Sequence, residues 1–363
     1  LKEMMKAALF YGDREDLRLE EVPVPEVGDG DILLKIRICG ICGSDSRYYF
    51  HGNEPRYKKP VILGHEVVGN IYRMGKDVKG YSTGERVAVA PIYGCGKCGH
   101  CLSGLENLCR HVVVFGTNFD GGFAQYMLIP QKGIERGVLV KLADTVADEA
   151  ATMLEPFSCA LHGLRKIGIG PGDTAAVFGS GPLGLAFLLL LKKLGAGKVA
   201  VIARAGDKLQ RAEEFGADAT FSTREEGWKE KVRGYFKDDG INITVTAAST
   251  LPVLEYSMEL VKRGGKILVF SGLPTGTKIE VDPNYLHYNE LSINGTIDST
   301  IDDYKRMALM APYLGLERFA THMFSFDEIR KGFQATRDKD RLRINIRIMD
   351  KDTDFDTEVR HDM

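Results

Sequence analysis

The sequence predicts an α/β protein in two parts: a doubly wound parallel sheet, and a β-rich, partly open barrel that is split around it and carries a small metal lobe. Three observations predict this. Between about 157 and 295, strand-like and helix-like segments alternate, the pattern of a parallel sheet with helices on both faces. The stretch before it holds short β-like runs between Gly and Pro turns, such as "DILLKIRICG" and "GERVAVAP". Four of the seven cysteines crowd into "GCGKCGHCLSGLENLC", residues 94 to 109. The expected organisation is therefore a sheet domain at 157–295 and a second domain made of 1–156, with the metal lobe at 94–110, and 296–363.

Composition bounds the function. With 363 residues, 44% apolar and 27% charged, the chain is long enough for two cores and too ordinary for a fibre or a disordered tail. A net charge of −2 without a basic stretch argues against nucleic acid as a partner. The longest apolar run, "LGLAFLLLL" at 183–191, is about half the roughly 20 residues a membrane span needs, and predicts a buried helix. The opening "LKEMMKAALF" lacks the pattern of an export signal, so a cytoplasmic protein without a membrane partner is expected. The last fourteen positions, "DKDTDFDTEVRHDM", read as a solvated acidic tail.

Taken along the chain, the first chemical signal is Cys42 in "CGICGSD", followed by His65 and Glu66 in "LGHEVVG" and, much later, by Glu155 in "MLEPFSC". One thiolate, one imidazole and one or two carboxylates make an unsaturated zinc shell, with a position left for water or an alcohol oxygen. Between them lies the lobe, where Cys95, Cys98, Cys101 and Cys109 are spaced C-x2-C-x2-C-x7-C. Its short spacers and glycines let four sulfurs converge, and four thiolates close a tetrahedral zinc shell, so this metal is structural. His100 and His111 stand by. Next comes "TAAVFGSGPLGLAFLLLLKKLGA", in which Gly179, Gly181, Pro182, Leu183 and Gly184 form a G-x-G-x-x-G turn between a strand and a helix, the setting of a dinucleotide site. Strand-like "KVAVIA", "ATFS", "ITVTAAS", "GKILVFSG" and "ELSINGT" complete the sheet, with helix-like "LPVLEYSMELVKR" at 251–263 between two of them. Cys39 and Cys159 fall in apolar runs and read as core residues, while His162, His287 and His322 stay unassigned.

Together these motifs resemble the zinc-containing medium-chain dehydrogenase/reductase family, of the alcohol, polyol, sugar and threonine dehydrogenase group. "GHEVVGNIYRMGKDV" is similar to that group's zinc signature, and the likeness runs from about Lys6 to about Met349. It implies a Rossmann sheet, a catalytic zinc held by Cys42, His65, Glu66 and Glu155, and a structural zinc in the lobe, two ions per chain. Sequence leaves open which glutamate is bound at rest. It further implies that Asp45 orients the histidine ligand and that Ser44 passes on the substrate proton. In the family's register the strand-end position that usually carries an acidic residue for NAD is Ala203, followed by Arg204, and this pairing predicts preference for NADP over NAD. The expected reaction is hydride transfer between a secondary alcohol, such as a polyol, sugar alcohol or threonine-like substrate, and NAD(P), with the zinc as Lewis acid. NADP-linked oxidation of an aldose is the alternative, and a zinc-free quinone reductase relative a more distant one. Polar residues Tyr48, His51 and Asn118 are candidates for the substrate pocket. The chain departs from the family at Arg47, where a histidine commonly completes the proton relay. An arginine does not shuttle protons at neutral pH, so Arg47 either binds an anionic group of substrate or cofactor or faces solvent. The resemblance also implies a homodimer or homotetramer built through the edge of the sheet domain.

Overall fold

The computed structural model describes residues 2–52, 55–204, 206–237 and 240–349, and the acidic stretch read as a tail lies outside them. Two compact units divide the chain, one formed by Leu1–Glu155 with Thr300–Met363 and the other by Pro156–Ser299. Among the described residues, no helix is long and apolar enough to cross a membrane.

The Pro156–Ser299 unit is a Rossmann sheet. Its six parallel strands lie in the order Ala219–Ser222, Lys198–Ala203, Thr174–Phe178, Ile243–Thr246, Lys266–Val269, Ser292–Gly295. Chain order reverses on the two sides of Thr174–Phe178, and in such sheets ligands bind outside the strand carboxyl ends at this reversal. All five residues of Thr174–Phe178 are buried, as a strand covered on both faces requires. The apolar run forms the helix Pro182–Lys193, which buries Leu185 to Leu188, Leu190 and Leu191 and ends in Lys192 and Lys193, where cations suit the negative helix end. The helix expected over 251–263 stops at Leu260. Val261 is already extended there, which lets Lys262 donate its backbone N–H to Ile241.

The other unit is the split, partly open β domain. A seven-stranded sheet runs Leu139–Lys141, Arg86–Val89, Glu66–Met74, Ile32–Gly40, Arg343–Arg347, Ala320–Ser325, with Tyr126–Ile129 also paired to Ile32–Gly40. A three-stranded sheet consists of Leu17–Pro23, Met4–Phe10 and Val61–Ile62, and an isolated bridge pairs Ala7 with Ala124, just ahead of the strand Tyr126–Ile129. The C-terminal part belongs here because Arg343–Arg347 pairs antiparallel with Ile32–Gly40, placing Asn345 opposite Gly40 and Ile346 opposite Cys39. On its other side Ile32–Gly40 pairs with Glu66–Met74, so that Glu66 lies opposite Gly40. Three stretches distant in sequence thus meet at one strand end.

Candidate active site

The lobe is built from local geometry. Gly96 and Gly104 take φ of +79° and +73°, which side-chain-bearing residues rarely adopt, and so turn the chain back on itself. Cys95 Sγ lies 4.0 Å from Cys101 Sγ, and Cys98 Sγ lies 3.8 Å from Cys109 Sγ. A zinc ion with bonds of about 2.3 Å to four sulfurs needs edges of about 3.8 Å, so the four donors fit that ion. Backbone N–H groups, those of Lys97 foremost, pull the Cys95 thiol down to about 6, favouring the thiolate a metal requires. His100 and His111 are exposed and stay outside the donor group.

The second cluster draws its donors from three segments. Helix Gly43–His51 starts at Cys42, whose N–H donates to Asp45 Oδ2 at 3.1 Å. The other oxygen of the buried Asp45 lies 3.4 Å from His65 Nδ1, an ion-pair distance that aims the imidazole. Glu66 opens the strand Glu66–Met74, and Glu155 sits in the first turn of the helix Leu154–Ile167. Gly40 is needed opposite them: a Cβ there would lie 2.1 Å from Glu66 Oε2. One donor atom each from Cys42, His65, Glu66 and Glu155 falls within 4.8 Å of the others. Burial pushes the Cys42 thiol up and the Glu66 carboxyl up to about 7. Burial alone would lower the His65 imidazole, but Asp45 and Cys42 outweigh it and hold it well above its usual value. Without a cation the cluster therefore retains protons, and a divalent ion preferring sulfur, nitrogen and oxygen donors would take their place.

In the Rossmann unit, Gly179 turns at φ +124° against Ala247, and a Cβ on Gly184 would lie 2.0 Å from Gly179 O, so strand and helix touch there. A Cβ on Gly181 would meet nothing within 4 Å, which leaves the backbone open on that side. Gly181 precedes the helix Pro182–Lys193, with Pro182 and Leu183 in its first turn, so the unpaired N–H groups and the positive helix end make an anion site. Ala203 ends its strand half-buried opposite Ser222, and Arg204 after it is exposed.

Residues 28–141 match the family described as Alcohol dehydrogenase GroES-like domain, and residues 182–311 match Zinc-binding dehydrogenase. Sorbitol dehydrogenase of Bacillus subtilis (strain 168) is 34% identical over 294 residues, covering 80% of this chain and 81% of its own. The chain belongs to the zinc-containing medium-chain dehydrogenase/reductase family. It is also 29% identical to L-threonine 3-dehydrogenase of Rhizobium etli (strain CIAT 652), over 93% of this chain and 96% of that one. Among solved structures, a protein of Sinorhizobium meliloti 1021 described as a zinc-binding dehydrogenase and bound to NADP superposes with a TM-score of 0.87 at 30% identity, covering 96% of this chain and 100% of that one.

The dehydrogenase fold also brings in residues that sequence reasoning passed over. Arg343 Nη1, buried, reaches both oxygens of Glu66 at 2.7 and 2.5 Å and donates to Ile41 O at 3.0 Å. Tyr304, fully buried, lies within electrostatic reach of Glu155 and Glu66. Arg224 is exposed two residues after Ser222, whose Oγ accepts its backbone N–H at 3.2 Å. A signal for Arg343 exists in "RINIR", a strand with arginine on an inward-facing row, which demands a buried acidic partner. Of the three pocket candidates, Tyr48 and His51 line a common cavity with Ser44 and Arg47. Asn118 does not join them, because its amide closes its own loop by accepting from Val114 N–H and donating to Val112 O.

Proposed function

We propose that this chain is a zinc-dependent dehydrogenase of secondary alcohols, polyols or threonine-like substrates that prefers NADP. The observation that carries the reading is the convergence of Cys42, His65, Glu66 and Glu155 from three segments into one donor set, buried except for the half-buried Cys42. Zinc bound there would supply Lewis-acid polarisation of the substrate hydroxyl. The chain's own residues do the rest. Asp45 holds the His65 ring in place, and Arg343 occupies both oxygens of Glu66, which favours Glu155 as the carboxylate bound at rest. Ser44, at the start of the helix that follows Cys42, takes the hydroxyl proton and passes it to solvent through the cavity it lines, and a bound nicotinamide would supply the hydride acceptor. The Gly179–Gly184 turn binds the pyrophosphate on backbone N–H groups. Arg204 and Arg224, at the ends of the neighbouring strands Lys198–Ala203 and Ala219–Ser222, bind the adenosine 2′-phosphate, and Ala203 contributes no carboxylate to repel it. The NADP-bound relative agrees with this reading, and the intact donor sets speak against a zinc-free reductase. The exposed edge strand Ser292–Gly295, with Ile297 52% exposed beside it, suits assembly into a homodimer or homotetramer.

Metal analysis and a panel assay test the proposal. Two zinc ions per chain are expected, with NADP-dependent oxidation of at least one of sorbitol, threonine and 2,3-butanediol. Arg204→Ala combined with Arg224→Ala should lower kcat/KM for NADP by roughly 10–100-fold and that for NAD little. Preference of the unaltered enzyme for NAD would overturn the cofactor assignment, and activity on glucose alone would favour aldose oxidation.

A further inference from the structure

The cavity beside Ser44 has a chemical character that the reading above does not use. Ser44, Arg47, Tyr48 and His51 stand at i, i+3, i+4 and i+7 on the helix Gly43–His51 and so share one face of it. With Gly52 and Tyr57 they enclose a cavity of about 160 Å³. Tyr57 closes one wall by stacking on Tyr48, with ring centroids 3.7 Å apart. It also feels the charges of Asp45, His65 and Cys42, so the cavity adjoins the metal donors.

Among the described residues, no carboxylate lines it. Arg47 and His51, one helical turn apart, make no hydrogen bond, ion pair or ring contact among the described residues. Three other guanidiniums of this unit are held by carboxylates, Arg37 and Arg86 by Asp148 and Arg343 by Glu66. A guanidinium with five donors, without a partner among the described residues, and an imidazole N–H, both lining a space next to a metal site, are complementary to an anion. The space suits one anionic group and a few carbons of a small substrate.

We propose that Arg47 and His51 form an anion-recognising arm of the substrate site, so that the alcohol this enzyme oxidises bears a carboxylate or a phosphate monoester. This rests on the dehydrogenase reading and narrows it from alcohols in general to acidic hydroxy compounds. It also assigns Arg47 to substrate recognition, where a histidine at this position would relay protons.

The test uses the zinc-loaded full chain with NADP. The substrates compared are a neutral alcohol and an acidic counterpart of similar carbon skeleton: sorbitol against gluconate and sorbitol 6-phosphate, and 2,3-butanediol against 3-hydroxybutyrate. At least one acidic member should exceed its neutral partner tenfold or more in kcat/KM, and whether it is the carboxylate or the phosphate names the source of the charge. Arg47→Gln should cut that acid-to-neutral ratio at least tenfold, chiefly through KM, and Arg47→Lys should restore part of it. Calorimetric titration with inorganic phosphate supplies a reading independent of turnover, with Kd expected to weaken at least tenfold in Arg47→Gln. Neutral substrates preferred in both pairs, a ratio that moves less than twofold in Arg47→Gln, or an effect confined to KM for NADP would overturn the arm. So would an unchanged phosphate affinity. Failure of the underlying dehydrogenase reading looks different: no compound is oxidised with either cofactor, while the phosphate titration still decides for or against the arm.

Discussion

The two cysteine-bearing clusters make an instructive pair. The lobe takes all its donors from fifteen consecutive residues, Cys95 to Cys109, with glycines supplying the turns, and its sulfurs fall at tetrahedral spacing within that one segment. The Cys42 cluster spans Cys42 to Glu155 and depends on strand register, on a helix start and on Arg343 from the far end of the chain. Local geometry suffices for a closed shell, whereas an open shell needs a rigid surround to keep its donors apart and one position vacant. The first cluster is a property of a segment. The second is a property of the fold.

Substitutions separate the two. The largest effect is expected from His65→Ala: zinc content should fall from two ions per chain to one while the lobe stays loaded, and kcat/KM should drop by about 10³-fold or more, since metal polarisation is worth several kcal/mol. A variant that kept both ions, or lost both, would show that the clusters are not independent. Next comes Arg343→Met, which leaves Glu66 buried without its guanidinium and should destabilise the chain by about 3–5 kcal/mol in denaturant unfolding. Joint replacement of Glu66 and Arg343 by apolar residues should recover much of that loss, though not the activity. Asp45→Asn keeps the shape but withdraws the charge facing His65, and should weaken zinc affinity or turnover by about 10–100-fold, read by competition with a chelator. The smallest effect is expected in the lobe from Glu106→Gln, which retains an acceptor toward Ile301 N–H and should cost about 1 kcal/mol, with both zinc ions still bound.

How much was legible in the sequence follows the same division. The lobe could be read outright because its information is spacing. The alternation that announced the parallel sheet and the glycine turn was equally local, and the helix ending at Leu260 differed only where Val261 had to become extended to meet Ile241. For the open cluster, Cys42, His65, Glu66 and Glu155 stood in short motifs that could be picked out, but Arg343 was not seen at all. Its partnership with Glu66 exists only because both Glu66–Met74 and Arg343–Arg347 flank Ile32–Gly40, a register that no short window of sequence contains. Asn118 failed as a pocket residue for the opposite reason, since a loop-closing role inside 112–118 leaves no trace in composition. Arg224 required two strand ends to be neighbours.

Glu106 carries one more consequence. Its carboxylate, 6% exposed inside the lobe, accepts the backbone N–H of Ile301 at 2.8 Å, at the start of the helix Ile301–Met310, directly after the chain returns from the Rossmann unit. The returning strand of polypeptide is thus fastened within its own unit, close to the point of return and independently of what was inserted between Pro156 and Ser299. A protein stitched this way is open to module exchange: a foreign nucleotide-binding insert of the same entry and exit could be grafted in, with the acidic stitch keeping the host's two pieces in register.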